Sequence, residues 1–502
     1  MEENMIQHSF FRWDSRRFHV ILFLMYGMTL FYFARTTIGI SMICMMNSTS
    51  HKNNEKTEME ISEKCYHIFN NSNELSKSYE GTFNWSISTQ NSIISGNYWG
   101  SLLTTLIAGI LVDKTSPKKI IILSASILLI TTSAFPILAI YWDHNSVTIS
   151  RFIFGIGDAF WAPSFNHILS NWIPVPEKSL AVGIYTCGVQ LSTLLGNPIA
   201  ALFCNSSFGW PGTFYFCAFL ILIFIILWIF FVQPRFDKGK WVTKNEYIYL
   251  SKNILKNDRN KLGKNHKILW FNIIKSLPLL SILLCRIVEM IFVVFSTTFL
   301  PLYLRDTFYI NIIDNGIYSA APFVAQIVSK VAIGALMLKL QKEKRITSTQ
   351  SVKICQFISG IGVMIGLSII PYISDCESPL KTVICFAFIQ SFFGISANGF
   401  FTSIYMLSPT LIGSITSLNI FVGVFGAGST SYLISYLRSL DKYNGWNNVL
   451  RFIGIIWLIT SLFFTMFGSG ERQNWVKEVS NEENNLLNKK TIDDSKLENI
   501  RL

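Results

Sequence analysis

The chain has 502 residues, half of them hydrophobic, with 14% charged and 41 phenylalanines, and a mean hydropathy of +0.39. That is too apolar for a soluble protein and reads as an all-α, polytopic membrane protein whose first partner is the lipid bilayer. A net charge of +12 would suggest nucleic acid in a soluble chain, but here the basic residues gather in short loops between apolar spans, where they set topology instead. Nucleic acid is therefore excluded as a partner.

Nine cysteines are scattered without a C-x-x-C pair, and no histidine cluster has metal-ligand spacing. Cys65 and Cys376 are candidates to pair outside the membrane, but an odd count with most members inside spans predicts no disulfide framework and no metal. No cleavable signal peptide is expected, because the first apolar run exceeds a signal's hydrophobic region. No Ser-His-Asp set or phosphate-cradling glycine loop appears, which argues against an enzyme.

Residues 1–18 are polar, and Arg12, Arg16 and Arg17 stand beside the first span, which predicts a cytoplasmic N-terminus. The first span, about 19–46, holds one charge, Arg35, in YFARTTIGISM. The polar segment 47–84 carries sequons at Asn47, Asn70 and Asn84, and a fourth at Asn205 falls in a later loop expected on the same outer side. The second span, about 91–112, is uncharged and runs into Asp113, Lys114, Lys118 and Lys119, whose basic character fixes the direction of every later span.

Spans three to six are expected near 120–141, 147–170, 180–204 and 211–232, completing a first half over 19–232. Residues 233–276 form a connector with eleven Lys or Arg against three acids, read as a solvated cytoplasmic face. A second half over 277–468 repeats six spans, with Lys339, Lys342, Lys344 and Arg345 in one inner loop. Six spans, a basic connector and six more is the layout of carriers with a midplane site between two related halves, acting here as a monomer. The polar tail 469–502 contains EENNLL, and Glu482, Leu486 and Leu487 have the form of an acidic dileucine sorting signal.

A charge inside the bilayer costs a few kcal/mol, about 2.5–3.5 on insertion scales, so each one is a functional candidate. Arg35 offers a planar fork of donors matching a carboxylate or phosphate. Arg151 and Asp158 in the fourth span are seven apart, about 10 Å along the axis, so each needs another partner. Burial would let Asp158 gain and lose a proton near neutral pH, while Arg151 has either a substrate role or an interfacial one. In the seventh span Arg286 and Glu289 share a helix surface and can pair, and Lys330 in the eighth could reach an interface.

Several motifs then resemble the major facilitator superfamily, within it the organic anion and phosphate symporters that include sialin, the type I sodium phosphate cotransporters and the vesicular glutamate transporters. Gly109, Asp113-Lys114 and Lys118-Lys119 resemble its loop between the second and third helices, with Ser116 and Pro117 where glycine is usual. Asn97-Tyr98-Trp99-Gly100, Trp172-Ile173-Pro174 with Glu177-Lys178, and the ending FGSGE-x-Q-x-W at Phe467–Trp475 are similar to that branch.

The resemblance implies a twelve-helix fold in two halves and an alternating-access symporter of an organic anion or inorganic phosphate, with no cofactor beyond co-transported sodium or protons. Arg35, Arg151, Arg286 and Tyr98 are the expected substrate contacts, and Asp158 and Glu289 the ion-coupling acids. Phe154 stands where sialin-like members carry a second acid, Ile94 where glutamate-type members carry histidine, Glu289 where they carry arginine, and Met406 replaces an aspartate. These losses motivate an alternative, a diverged sensor or scaffold without transport. The membrane is expected to be the plasma membrane or an endolysosomal or vesicular one, with both termini cytoplasmic.

Overall fold

The computed structural model describes residues 15–47, 81–234, 236, 242–251, 275–308, 310–374, 378–407, 412–441 and 445–471. Asn70, Cys65, Cys376, Glu482, Leu486 and Leu487 lie outside them. The described chain is almost wholly helical. In order it runs α1 (Arg16–Thr36), α2 (Ile38–Met45), α3 (Ile87–Lys114), α4 (Pro117–Tyr141), α5 (His144–Asp158), α6 (Trp161–Trp172), α7 (Val175–Asn205), α8 (Gly209–Phe231) and the short α9 (Lys244–Leu250). Then come α10 (Leu277–Val294), a π turn (Phe295–Phe299), α11 (Leu300–Phe308), α12 (Ile312–Ala320), α13 (Pro322–Lys342), α14 (Ser348–Ile373), α15 (Pro379–Ile395), α16 (Phe400–Leu407), α17 (Ile412–Ser439) and α18 (Gly445–Phe467).

Joining helices that meet end to end gives twelve traverses among the described residues. The breaks have local causes. At Thr37 the hydroxyls of Thr36 and Thr37 donate back to the carbonyls of Tyr32 and Phe33, which bends α1 from α2. Pro163 and Pro322 lack the N–H that would bridge α5 to α6 and α12 to α13. Gly209, at φ +60°, makes the left-handed turn from α7 into α8.

Ten of the traverses are long and apolar enough to cross a membrane. The other two, α3 and α5 with α6, are more polar. On α3 this polarity is turned inward, since Asn91, Ser95, Asn97, Ser101, Thr104 and Thr105 are all buried. The lipid-like residues face outward instead, as with Leu103, Leu106, Ile107 and Ile110 on the same helix. This inversion is what a bundle with a polar interior requires in an apolar solvent.

The side on which α1 begins is here the near side, and the opposite one the far side. On the far side the halves are zipped together. Ser95 on α3 donates to the Tyr432 hydroxyl on α17 at 3.1 Å, and Asn197 on α7 donates to Ser319 on α12 at 3.0 Å. Residues of α2 and α3, such as Met42 and Ile93, share one apolar core with the second half. A second core, around Phe165, Phe224 and Trp228, belongs to the first half.

Two features correct the sequence reading. Cys44 and Cys204, 160 residues apart, form a disulfide that joins α2 to α7 on the far side, where none was expected. Spacing could not show it, because only the parallel packing of the first and fifth traverses brings their ends together. The connector is also not merely a solvated face. Glu246, on its helix α9, is buried and accepts hydrogen bonds from the backbone N–H of Arg16 and Arg17, capping α1, and from Ser15 Oγ at 2.9 Å. Arg17 is fully buried between Glu246 and Glu177. Burial, then the Glu177 carboxylate, pushes the Tyr249 phenol up, so it stays protonated and donates to Glu177.

Candidate functional site

Glycines determine where the buried charges of the first half meet. A Cβ on Gly155 of α5 would lie 1.9 Å from the Asn97 carbonyl oxygen, and one on Gly100 of α3 would lie 2.0 Å from the Phe152 carbonyl. Only glycine at both positions lets the two backbones touch. This contact sets Asp158 beside Ser101, whose hydroxyl lies 3.3 Å from Asp158 Oδ2 and 2.9 Å from the Gly155 carbonyl.

Arg35 enters from α1 and completes the arrangement. Its Nη1 donates to Asp158 Oδ2 at 3.3 Å, and its guanidinium lies 4.3 Å from the Tyr98 ring centre and 5.5 Å from that of Tyr32. Arg35 is 9% exposed and Asp158 12%. The partner that Asp158 needed is thus Arg35, 123 residues earlier in the chain. The Arg35 guanidinium is not free, as a dedicated anion site would have it, but held by one acid.

Arg151 has two nitrogens with unused donors. It is 4% exposed, stacks 4.8 Å from the Phe154 ring, and its Nε and Nη2 have no hydrogen-bond partner. Phe154 gives Arg151 a ring face to lie on and offers its donors no acceptor.

In the second half Arg286 pairs with Glu289 three residues later on α10, and its Nε is left without a partner. Arg286 packs against Gly423 of α17 and lies 6.0 Å from the Phe401 ring centre, so the second half also holds a buried guanidinium. Lys330 on α13 donates to Thr186 on α7 at 3.0 Å, a polar bond between the halves. Of the sequons, Asn47, Asn84 and Asn205 all lie on the far side, Asn84 and Asn205 exposed. Ile94 is buried in the core shared by the halves, and Met406 is packed against it.

Tyr32 and Ser101 were not singled out in the sequence. A signal for Tyr32 existed, since it precedes Arg35 by three residues and so shares its helix face. Ser101 carried none, because its role depends on the α3–α5 contact.

Residues 24–431 match the family model described as Major Facilitator Superfamily. The chain is 30% identical to an uncharacterized transporter, slc-17.3, of Caenorhabditis elegans, covering 95% of this chain and 93% of that one. It is 24% identical to human sialin over 92% of this chain and 91% of sialin. It is 23% identical to the chloroplastic sodium-dependent phosphate transport protein 1 of Arabidopsis thaliana, covering 78% of this chain and 73% of that protein. Among solved structures, an inward open conformation of the xylose transporter XylE from E. coli superposes with a TM-score of 0.64 at 13% identity, covering 92% of this chain and 99% of that one, which shows the fold. A D-xylose-proton symporter structure gives 0.63 at 12% identity, covering 91% and 100%. The chain therefore belongs to the Major Facilitator Superfamily, in the branch that holds sialin and inorganic phosphate cotransporters, and it is a membrane transporter and not an enzyme.

Proposed function

We propose that the protein carries a small organic anion or inorganic phosphate by alternating access, in symport with sodium or protons and as a monomer. The observation that carries this is a charge excess in the interior. Among the described residues, apart from the near-side group of Arg17, Glu177 and Glu246, Arg35, Arg151, Arg286 and Lys330 are four cations against two acids, Asp158 and Glu289, which leaves two positive charges for an anion to neutralise. In a low-dielectric interior an uncompensated guanidinium is costly, so an anion that supplies acceptors to Arg151 is held strongly.

Arg35 and Asp158 form the coupling switch. When a proton or sodium ion occupies Asp158, its hold on Arg35 weakens and Arg35 turns to the anion; when the ion leaves, the pair closes again and the anion is released. Tyr98 and Tyr32 keep the guanidinium in place through both states by their ring faces. Arg286 and Glu289 supply the second half's share of the site.

Orientation follows from charge and chemistry together. Near-side loops carry Lys118, Lys119, Lys342, Lys344 and Arg345, while the described sequons and the disulfide lie on the far side. The near side is thus cytoplasmic and the far side extracellular or luminal, with both termini cytoplasmic. Asn47, Asn70, Asn84 and Asn205 are the proposed glycan acceptors. Glu482, Leu486 and Leu487 would divide the protein between plasma and endolysosomal membranes.

The test is uptake into proteoliposomes of phosphate, sialic acid, glutamate and ascorbate under imposed sodium or proton gradients. We expect one gradient to drive accumulation of at least one anion, and Arg151→Ala to abolish it. Absence of gradient-dependent flux for every anion would favour the sensor or scaffold reading and sink this one.

A further inference from the structure

On the far side the first half presents two helix tips, each set off from the rest of its traverse by a local break. The first is α2, which starts after Thr37, where the Thr36 and Thr37 hydroxyls donate to the Tyr32 and Phe33 carbonyls in place of a regular helical turn. The second is the end of α7 beyond Pro198, which lies inside that helix and has no N–H for the Leu194 carbonyl. Cys44 stands one residue from the end of α2 and Cys204 one residue from the end of α7, and among the described cysteines these two alone are paired.

Both tips lie against the second half. A Cβ on Gly39 of α2 would come within 2.6 Å of the Thr298 carbonyl in the π turn. A Cβ on Gly316 of α12 would lie 2.6 Å from Ala201 Cβ, 3.0 Å from the Asn197 carbonyl and 3.3 Å from Pro198 Cα. Ile40 and Ile43 of α2, Ala200 and Ala201 of α7 and Ile312 of α12 form one small apolar cluster, on which both cysteines pack. With the Asn197–Ser319 bond, these contacts close the far side between the halves.

Each sulfur sits at the end of its lever. Cys44 is seven residues beyond Thr37 and Cys204 six beyond Pro198, about 10 Å and about 9 Å along the helix axis. The bond holds their Cα atoms 6.2 Å apart, and a disulfide does not span more than about 7 Å, so the tips part by no more than about 1 Å while it is intact. The end of α2 is itself held by Phe83, whose N–H donates to the Met45 carbonyl and whose carbonyl accepts from the Asn47 N–H, both at 2.9 Å. The disulfide extends that hold to the α7 tip. Both cysteines are half-buried, and Cys204 runs straight into the exposed turn 205–208, so a small thiol reaches the bond from the far side.

We propose that α2 and the tip of α7 form one covalently joined leaf of a far-side gate, and that a small thiol in the far-side compartment loosens this gate by reducing Cys44–Cys204. Two reductant thiols supply two electrons, the S–S bond breaks, Cys44 and Cys204 each end as a thiol with one of the two protons, and the reductant leaves as its own disulfide. With the bond intact both tips leave the second half in one step, giving up the contacts at Gly39, Asn197 and Gly316 together. Once it is reduced, the α7 tip bends at Pro198 by itself and the same contacts are given up in two smaller steps. The reduced gate therefore opens more often.

The experiment is amide hydrogen exchange on the full chain in lipid nanodiscs, with and without dithiothreitol, mass spectrometry reading in the same samples whether Cys44–Cys204 is open. We expect reduction to speed exchange in 38–45 and 199–205 by about tenfold or more, and exchange in 312–320 of the second half to rise with it, while the near end of α7 over 175–190 stays unchanged. No covalent bond ties 312–320 to the tips, so its exchange rises only when the halves part. Cys44→Ser with Cys204→Ser should show the fast exchange without reductant and no further response, and Cys65→Ser with Cys376→Ser should respond as the unsubstituted chain does. A bond that dithiothreitol leaves closed overturns the proposal. So does an open bond with unchanged exchange in 312–320, the result for a staple that serves stability alone, and so does a rise spread evenly over the whole first half. Where the serine variants do not fold, the unsubstituted chain, oxidised against reduced, decides by itself.

Discussion

The two halves solve the problem of buried charge differently. In the first half the ion pair runs between traverses, from Arg35 on α1 to Asp158 on α5, and Arg151 lies on the same α5 with donors to spare. In the second half the pair is local, Arg286 with Glu289 on α10, and the traverse made by α15 and α16 has no charge beyond Lys381 at its far end. Where the first half puts Arg151 and Asp158 on its fourth traverse, the second half has Gln390. A pair between helices changes helix packing when it breaks, whereas one within a helix does not. The first half is therefore the one whose charges can be tied to movement, and the second offers neutral polar contacts.

The same contrast holds on the far side. The first half closes its edge covalently through Cys44–Cys204. The second does so with Asp306, which accepts from Arg438 at 3.1 Å and from the Trp446 indole at 3.2 Å, with Arg438 over the Trp446 ring at 4.3 Å.

The comparison can be broken at several points. The largest effect is expected from Arg35→Ala, which strips Asp158 of its partner. Uptake should fall by about 100-fold or more, the equivalent of losing charge-assisted bonds, while the protein still reaches its membrane. Unimpaired uptake would remove the first half's claim to the site. Asp158→Asn mimics the neutralised acid. Gradient-driven accumulation should drop about tenfold or more, since an amide cannot cycle its charge, while anion exchange across the vesicle persists. Accumulation that survives would move coupling to Glu289.

The far-side contrast is checked by stability. Cys44→Ser should lower unfolding free energy by about 2–4 kcal/mol, and Asp306→Asn by about 1–3 kcal/mol, both read by thermal unfolding in detergent. High salt should weaken the unsubstituted Asp306 cluster and leave the disulfide untouched. The smallest effect is expected from Glu289→Gln. The pair lies within one helix, so breaking it moves no neighbouring helix, but it leaves Arg286 without its acid in the interior, and uptake should fall about fivefold. A loss as large as that of Arg35→Ala would erase the asymmetry between the halves.

Much of the architecture was legible because lipid permits few choices. Apolar runs with basic exits give the traverses and their direction, and single charges inside such runs, Arg35, Arg151, Asp158, Arg286 and Glu289, stand out against them. Even the separation of Arg151 from Asp158 along one helix was readable from a spacing of seven, and it required that Asp158 find a partner elsewhere. Which partner was not readable. Arg35 and Asp158 meet because Gly100 and Gly155 let α3 and α5 touch, and a glycine in sequence does not say whose backbone it admits.

What the sequence determined by itself, then, was everything that depends on one residue and its solvent: which segments enter the bilayer, where polar residues are concentrated, and which charges are too costly to be idle. The tertiary structure alone decided what depends on two distant residues at once. That covers the Arg35–Asp158 pair, the open donors of Arg151, the Cys44–Cys204 bond, and the burial of Glu246 against the start of α1. Hydropathy is a property of a segment, whereas a hydrogen bond or a disulfide is a property of a distance, and the distances here are set by how the twelve described traverses pack.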